Sequence, residues 1–144
     1  MDVDVEVLTE VTSDVVEAFD RLLPQLSSSA KQLDAAALSE VASAQACTVL
    51  LARASGRIVG TTTLVIFPIP TGVRAWIEDV VVDEAARGRR VGEALTREAL
   101  RIAGEAGART VDLTTRPSRE AAGRLYERLG FARRDSRLYR YTLS

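Results

Sequence analysis

The chain has 144 residues, 47% of them apolar, and carries 19 basic against 20 acidic side chains for a net charge of −1. That length suits one globular domain with a single core, and the near-neutral balance favours neither nucleic acid nor an anionic membrane surface as a partner. There is no histidine and one cysteine, which excludes triads that need an imidazole base, zinc sites built from His and Cys, and an intrachain disulfide.

In chain order, residues 3–9 alternate apolar and acidic side chains and predict a half-exposed first strand. Ser13 or Thr12 can cap a helix whose apolar positions Val15, Val16, Phe19, Leu22, Leu23 and Leu26 recur at helical spacing, with Pro24 bending or ending it. Residues 27–30 read as a loop. Asp34 caps a second short helix reaching about Ala44, rich in alanine and with a thin apolar stripe.

Residues 47–53 and 58–67 are apolar, β-branched runs joined by Ala54-Ser55-Gly56-Arg57, a hairpin in which Gly56 supplies a positive φ. Pro68-Ile69-Pro70-Thr71-Gly72 turns the chain into a strand over residues 73–82, which makes three antiparallel strands in a row. A helix over 90–104 follows, then a strand over 110–115 after a break at Gly107, and a helix over 118–129 stopped by Gly130. A closing strand pair is expected near 131–133 and 138–142. The order predicts an α/β fold with one mixed sheet.

No apolar run approaches the length that spans a bilayer, and the acidic start Met1-Asp2-Val3-Asp4 is unlike a signal peptide. With a single thiol, a reducing, cytoplasmic setting is the expectation. Charge is distributed unevenly: 14 of the 18 arginines lie in residues 87–140, whereas residues 1–20 hold seven acids and no base. That asymmetry suits an anionic ligand bound by the second half.

The most informative stretch is WIEDVVVDEAARGRRVGEAL, residues 76–95, where an apolar strand passes through an acidic turn into a basic, glycine-punctuated loop that opens a helix. The first backbone amides of a helix lack intrahelical acceptors and carry partial positive charge, so a phosphate or pyrophosphate is stabilised where residues 88–93 begin the helix. Gly88 and Gly92 let the backbone approach a ligand, while Arg87, Arg89 and Arg90 supply charged donors. The alternative is an ordinary helix start with a solvated basic face.

The loop Arg87-Gly88-Arg89-Arg90-Val91-Gly92, with Glu93 following, resembles the Q/R-x-x-G-x-G/A signature with which the GNAT superfamily of N-acetyltransferases binds the pyrophosphate of acetyl-coenzyme A. Arg90 stands where the family has its first glycine. Downstream, REAAGRLYERLGF, residues 119–131, resembles the superfamily helix ending L-Y-E-K-L-G-F, whose tyrosine sits near the coenzyme A sulfur. The resemblance covers nearly the whole chain. It implies one acetyltransferase domain over residues 1–144, with a mixed, mostly antiparallel sheet, splayed central strands and about four flanking helices. Acetyl-coenzyme A is the implied donor, with no metal, and the first two helices flank the acceptor.

Acetyl transfer to an amine asks for a deprotonated amine, a stabilised oxyanion and a proton for the leaving thiolate. Strand alternation puts Trp76, Glu78, Val80 and Val82 on one face, so Glu78 is the preferred general base, acting directly or through water; an ion pair with an arginine is its other reading. Asp79 faces the other way unless a bulge intervenes, and binds substrate or pairs with Arg74. The resemblance implies an oxyanion-binding amide at Val80, Val81 or Val82, in a segment that also pairs with the pantetheine arm like an added strand. Tyr126 is the candidate general acid, since a phenol with a pKa of about 10 stays protonated at neutral pH; its other reading is apolar packing with Leu125 and Leu129. Arg119 replaces an asparagine that holds the pantetheine in many relatives and could reach a phosphate instead. Cys47, on a strand and without an activating histidine, reads as an inert core thiol, which favours direct transfer over a ping-pong route.

The segment IEDVVV followed by this loop also resembles the glucosamine-6-phosphate N-acetyltransferase branch, whose members are dimers. Against that branch, Thr114 stands at the approximate place of its carboxylate near the thioester. The acceptor is expected to be a small-molecule or peptidyl amine, and a noncatalytic acyl-coenzyme A binding module is the alternative. The closing strand Leu138-Tyr139-Arg140-Tyr141 could pair with a second copy across an edge to give a homodimer.

Overall fold

The computed structural model describes residues 2–116 and 119–144, which group into two compact units, Met1–Leu113 and Thr114–Ser144. The expected helix over 118–129 begins partly outside the described residues; the helix observed there is α4, Glu120–Arg128.

The first unit is a five-stranded sheet in the order β1-β2-β3-β4-β5 with three helices. Its strands are β1 (Val3–Val7), β2 (Cys47–Ala54), β3 (Arg57–Ile69), β4 (Gly72–Val82) and β5 (Thr110–Asp112). Its helices are α1 (Ser13–Leu26), α2 (Ala35–Ser43) and α3 (Val91–Glu105). Neighbouring strands are antiparallel except β4 and β5, which run parallel.

Local chemistry accounts for the element ends. Asp34 accepts the Ala37 amide at 2.8 Å and starts α2, satisfying an amide that the helix itself cannot. Thr12 is the N-cap of α1 but makes no side-chain cap; its hydroxyl turns to Asp14. Pro24 lies inside α1, which ends two residues later. The β2–β3 turn has Ser55 at φ +53° and Gly56 at φ +79°, the pair of left-handed residues that matches the strand twist in a tight hairpin. β3 runs on through Pro68, which pairs with Val73 on β4 but lies beyond the reach of β2, whose first residue Cys47 pairs with Val65. There a missing ladder donor costs nothing.

The sheet separates two apolar layers. Val49, Leu51 and Val81 on one face pack with Val15, Ala18, Phe19 and Leu22 of α1 and Leu38 of α2. The other face carries α3, and Gly60 is what lets that helix close in. A Cβ there would stand 2.8 Å from Val91 Cγ1 and 3.2 Å from Leu95 Cδ1, too close without moving the helix or strand. Among the described residues no helix is long and apolar enough to cross a membrane.

Two expected strands are corrected. Residues 131–133 and 138–142 form no strand; Tyr139, Tyr141 and Leu143 are exposed at 87%, 88% and 91%. The charged run Arg133-Arg134-Asp135-Ser136-Arg137 separates two very short apolar pieces, and an isolated hairpin of that size is marginal in water. The strand edge expected to carry a dimer contact is therefore absent. The expected strand over 110–115 ends at Asp112.

Candidate active site

β4 is interrupted near its middle. Thr63 pairs with Glu78 and Thr61 with Val81, so Asp79 and Val80 together stand opposite Thr62, the two-against-one arrangement of a β-bulge. Asp79 takes φ +52°, a left-handed conformation that Asp tolerates better than most residues. Thr62, 1% exposed, donates its hydroxyl to the Glu78 carbonyl at 2.9 Å, which ties down the carbonyl just ahead of the bulge.

The bulge corrects the expected facing. Cross-strand partners share a face, so Glu78 keeps company with Trp76, but the next residue on that face is Val81, and Val82 joins Ile77 on the other. Glu78 and Asp79 are both exposed and form no ion pair among the described residues, so the expected alternatives of a Glu78–arginine pair and an Asp79–Arg74 pair are absent. Val81 is buried in the core, leaving only its backbone for a ligand.

β5 accompanies β4 only from Arg74 to Trp76. Beyond that point, among the described residues, no strand pairs with residues 77–82 on the β5 side. The expected splay is present, and its open backbone begins beside the bulge.

From Val82 the chain enters a 3-10 turn, Glu84–Ala86, and then the loop. Arg87, Gly88, Arg89 and Arg90 are exposed. Gly88 has φ +83° with no atom within 4 Å of where a Cβ would sit, so the space above it is open. Arg90, the N-cap of α3, takes φ +60°, ψ 28° and makes no side-chain cap. That conformation explains why the family signature has glycine here, and the Arg90 side chain does not cap the first α3 amides. Val91 is buried against the sheet, so its amide alone is available. Glu93 pairs with Arg97 at 3.3 Å. An open glycine, a helix start and arginines fit a diphosphate.

The second unit holds Tyr126 on α4. Gly130 has φ +103°; the Phe131 amide donates to the Tyr126 carbonyl and the Gly130 amide to the Glu127 carbonyl, each at 3.0 Å. These two bonds close the helix as a Schellman motif, with Tyr126 and Phe131 as its apolar pair. Burial pushes the Tyr126 phenol above its ordinary pKa, and the Arg119 cation opposes this in part. Arg119 is the N-cap of α4. Cys47, expected in the core, is half-buried at the start of β2.

The chain matches the acetyltransferase (GNAT) family over residues 12–131. It is a member of the GNAT family. An acetyltransferase structure from Trypanosoma brucei is 30% identical with a TM-score of 0.78, covering 99% of this chain and 100% of that one. Glucosamine-6-phosphate N-acetyltransferase from Arabidopsis thaliana superposes with a TM-score of 0.82 over 98% of this chain and 99% of that one; at 22% identity the likeness is one of fold. N-alpha-acetyltransferase 30 of Schizosaccharomyces pombe is 38% identical over 74 residues, 51% of this chain and 49% of that protein. The chain thus spans about half the length of that curated relative.

Within this GNAT chain, sequence reasoning overlooked Thr62, which fixes the bulge, and Arg21, Gln25 and Asp83, which hold the turn ahead of the loop. The signal for Thr62 was its place in Thr61-Thr62-Thr63, a polar run amid apolar β3. Arg21 and Asp83 are 62 positions apart, and no local pattern joins them.

Proposed function

We propose that residues 1–144 act as one acetyl-coenzyme A-dependent N-acetyltransferase domain that moves the acetyl group directly onto a primary amine. The observation that carries this reading is the β4 bulge at Asp79–Val80 beside an open strand edge and ahead of the left-handed Arg90. Acetyl-coenzyme A supplies an activated thioester. The Arg87–Gly92 loop, with Arg89, Val91 and Glu93 contributing backbone or charge, takes its diphosphate, and backbone groups of Val80, Val81 and Val82 take the pantetheine arm. Arg119 reaches a phosphate.

Glu78 accepts the proton of the attacking amine, directly or through water, because it is exposed beside the bulge and forms no ion pair among the described residues. Bulge amides donate to the developing oxyanion. Tyr126, held protonated by burial, returns a proton to the thiolate. Asp79 contacts the acceptor. The name of the Schizosaccharomyces pombe relative supports a peptidyl α-amine as the first acceptor class to test, with small amines second. A cytoplasmic setting accords with the single thiol.

A second reading, a noncatalytic acyl-coenzyme A binding module, draws on the Tyr126–Phe131 contact, which gives Tyr126 a structural role of its own. Thiol release across peptides, amino acids, polyamines and glucosamine 6-phosphate separates the two. Release with one acceptor class, lowered about a hundredfold in Glu78→Gln, supports the enzyme; binding of acetyl-coenzyme A without release across the panel supports the module.

A further inference from the structure

Asp83 is the first residue after β4, and what holds it is α1. Arg21 donates from Nη1 to Asp83 Oδ2 at 2.5 Å and from Nη2 to the Ile58 carbonyl at 3.0 Å. One turn on, Gln25 accepts the Glu84 amide at 2.9 Å, while its Nε2 donates to the Arg21 carbonyl at 3.2 Å. Asp83 accepts the Ala85 amide at 3.2 Å through its other oxygen, and its own amide donates to the Val59 carbonyl at 2.8 Å. Each of residues 83, 84 and 85 is thus held by a named bond from α1, β3 or the turn itself.

This is not an ordinary surface pair. The Arg21 and Asp83 side chains are 20% and 9% exposed, and removing one partner of a pair so withdrawn from water leaves the other charge stranded. Ala86, which ends the turn, is buried at 2%. The chain from Ala86 to Val91, both buried, spans only residues 87–90. With its two ends anchored, so short a segment has few conformations left, and ordering lost at one end is lost in the loop.

We propose that Arg21, Gln25 and Asp83 are positioning residues for the donor: acting through the backbone of residues 84–86, they hold the 87–92 loop in the conformation that receives a diphosphate. The inference rests on the acetyl-coenzyme A reading above and adds a device on α1, a helix remote in sequence from the loop. Preorganisation of this kind shows in donor binding and not in the chemical step.

Steady-state kinetics with acetyl-coenzyme A varied, on the full chain and its variants, tests it. Arg21→Ala is expected to raise KM for acetyl-coenzyme A about tenfold and Gln25→Ala about threefold, with kcat within about twofold of the parent. Arg21→Lys, which restores the charge but not the two-nitrogen fork that reaches Asp83 and the Ile58 carbonyl, falls between. Arg101→Ala, which breaks ion pairs to Glu98 and Glu105 within α3, is the control and leaves KM unchanged. Because Arg21→Ala strands a buried carboxylate and could unfold the chain, Gln25→Ala is the deciding variant; amide exchange across residues 84–93 should quicken in it. Normal turnover with KM and exchange unmoved in Gln25→Ala overturns the inference alone. A parent chain that does not bind acetyl-coenzyme A overturns the functional reading and the inference with it.

Discussion

Tyr126 and Phe131 meet edge to face, their ring centroids 5.6 Å apart and their planes at 65°, across the glycine that ends α4. The sequence LYERLGF therefore encodes a helix stop as well as a tyrosine: the backbone bonds around Gly130 bring the two rings together. Structure and chemistry can be separated at this position. Tyr126→Phe keeps the ring pair and removes only the hydroxyl, so it should lower kcat by about ten- to a hundredfold while leaving stability nearly unchanged. Tyr126→Ala removes the pair and should cost about 3 kcal/mol in denaturant unfolding. A Tyr126→Phe chain with full kcat would leave Tyr126 a packing residue.

The Tyr126 phenol also makes a pH prediction. Its folded pKa is raised by burial over the ordinary value of 10.0, with Arg119 acting against the shift. A group whose folded pKa is raised contributes stability that is fully present below its unfolded pKa and is lost as pH rises through the folded one. Unfolding free energy measured from pH 9 upward should therefore fall once pH passes about 10, and Tyr126→Phe should flatten that fall.

Thr62 is a test of the bulge. Thr62→Val nearly keeps shape and removes the part-buried hydrogen bond to the Glu78 carbonyl, at a cost of about 1 kcal/mol. If the bulge amides hold the oxyanion, kcat falls as well, by more than the matched buried substitution Thr61→Val, which loses a bond to the Leu50 carbonyl. Equal kcat in the two variants would detach the bulge from catalysis.

Arg90 sets stability against affinity. At φ +60° a non-glycine residue costs about 1 kcal/mol, so Arg90→Gly should raise the unfolding free energy by about that amount. Losing one cation should at the same time weaken acetyl-coenzyme A binding several-fold, with a shallower salt dependence. A destabilised Arg90→Gly chain would contradict the assigned backbone conformation.

Asp83 supplies the acid limb. Burial pushes its carboxyl up, but the Ala85 amide, Arg21 and Gln25 together outweigh that and hold it below the ordinary 3.8. The sign follows: this contribution is fully present above the unfolded value and is lost as pH falls through the lower folded one. Comparing parent with Asp83→Asn, the stability difference should be constant at neutral pH and shrink below about pH 4.

Much of the fold was legible because its signals are local. Alternation marked β1, helical spacing marked α1, the basic glycine-punctuated loop marked the start of α3, and Gly56 marked the hairpin. Two kinds of feature were not local. The bulge at Asp79–Val80 depends on the register between β3 and β4, and one extra residue reverses every later side chain, which is why Val80 and Val82 were placed on the wrong face. The closing strands failed for the opposite reason: residues 138–142 have the composition of a strand, but a strand exists only with a partner, and among the described residues none is formed there. The candidate site was legible where a motif carries it, at residues 87–92 and at Tyr126. It was not legible where the Arg21–Asp83 pair is made by the fold.

The central question is whether the loop and the β4 edge receive acetyl-coenzyme A. Calorimetric titration of the chain with acetyl-coenzyme A and with dephospho-coenzyme A, repeated for Arg87→Ala, measures this. The expected result is a dissociation constant on the order of micromolar, weakened about tenfold by Arg87→Ala, with both ligands bound because they share the diphosphate. Absence of binding by the parent chain at millimolar ligand would contradict it, and the reading of residues 87–92 as a diphosphate site would have to be withdrawn.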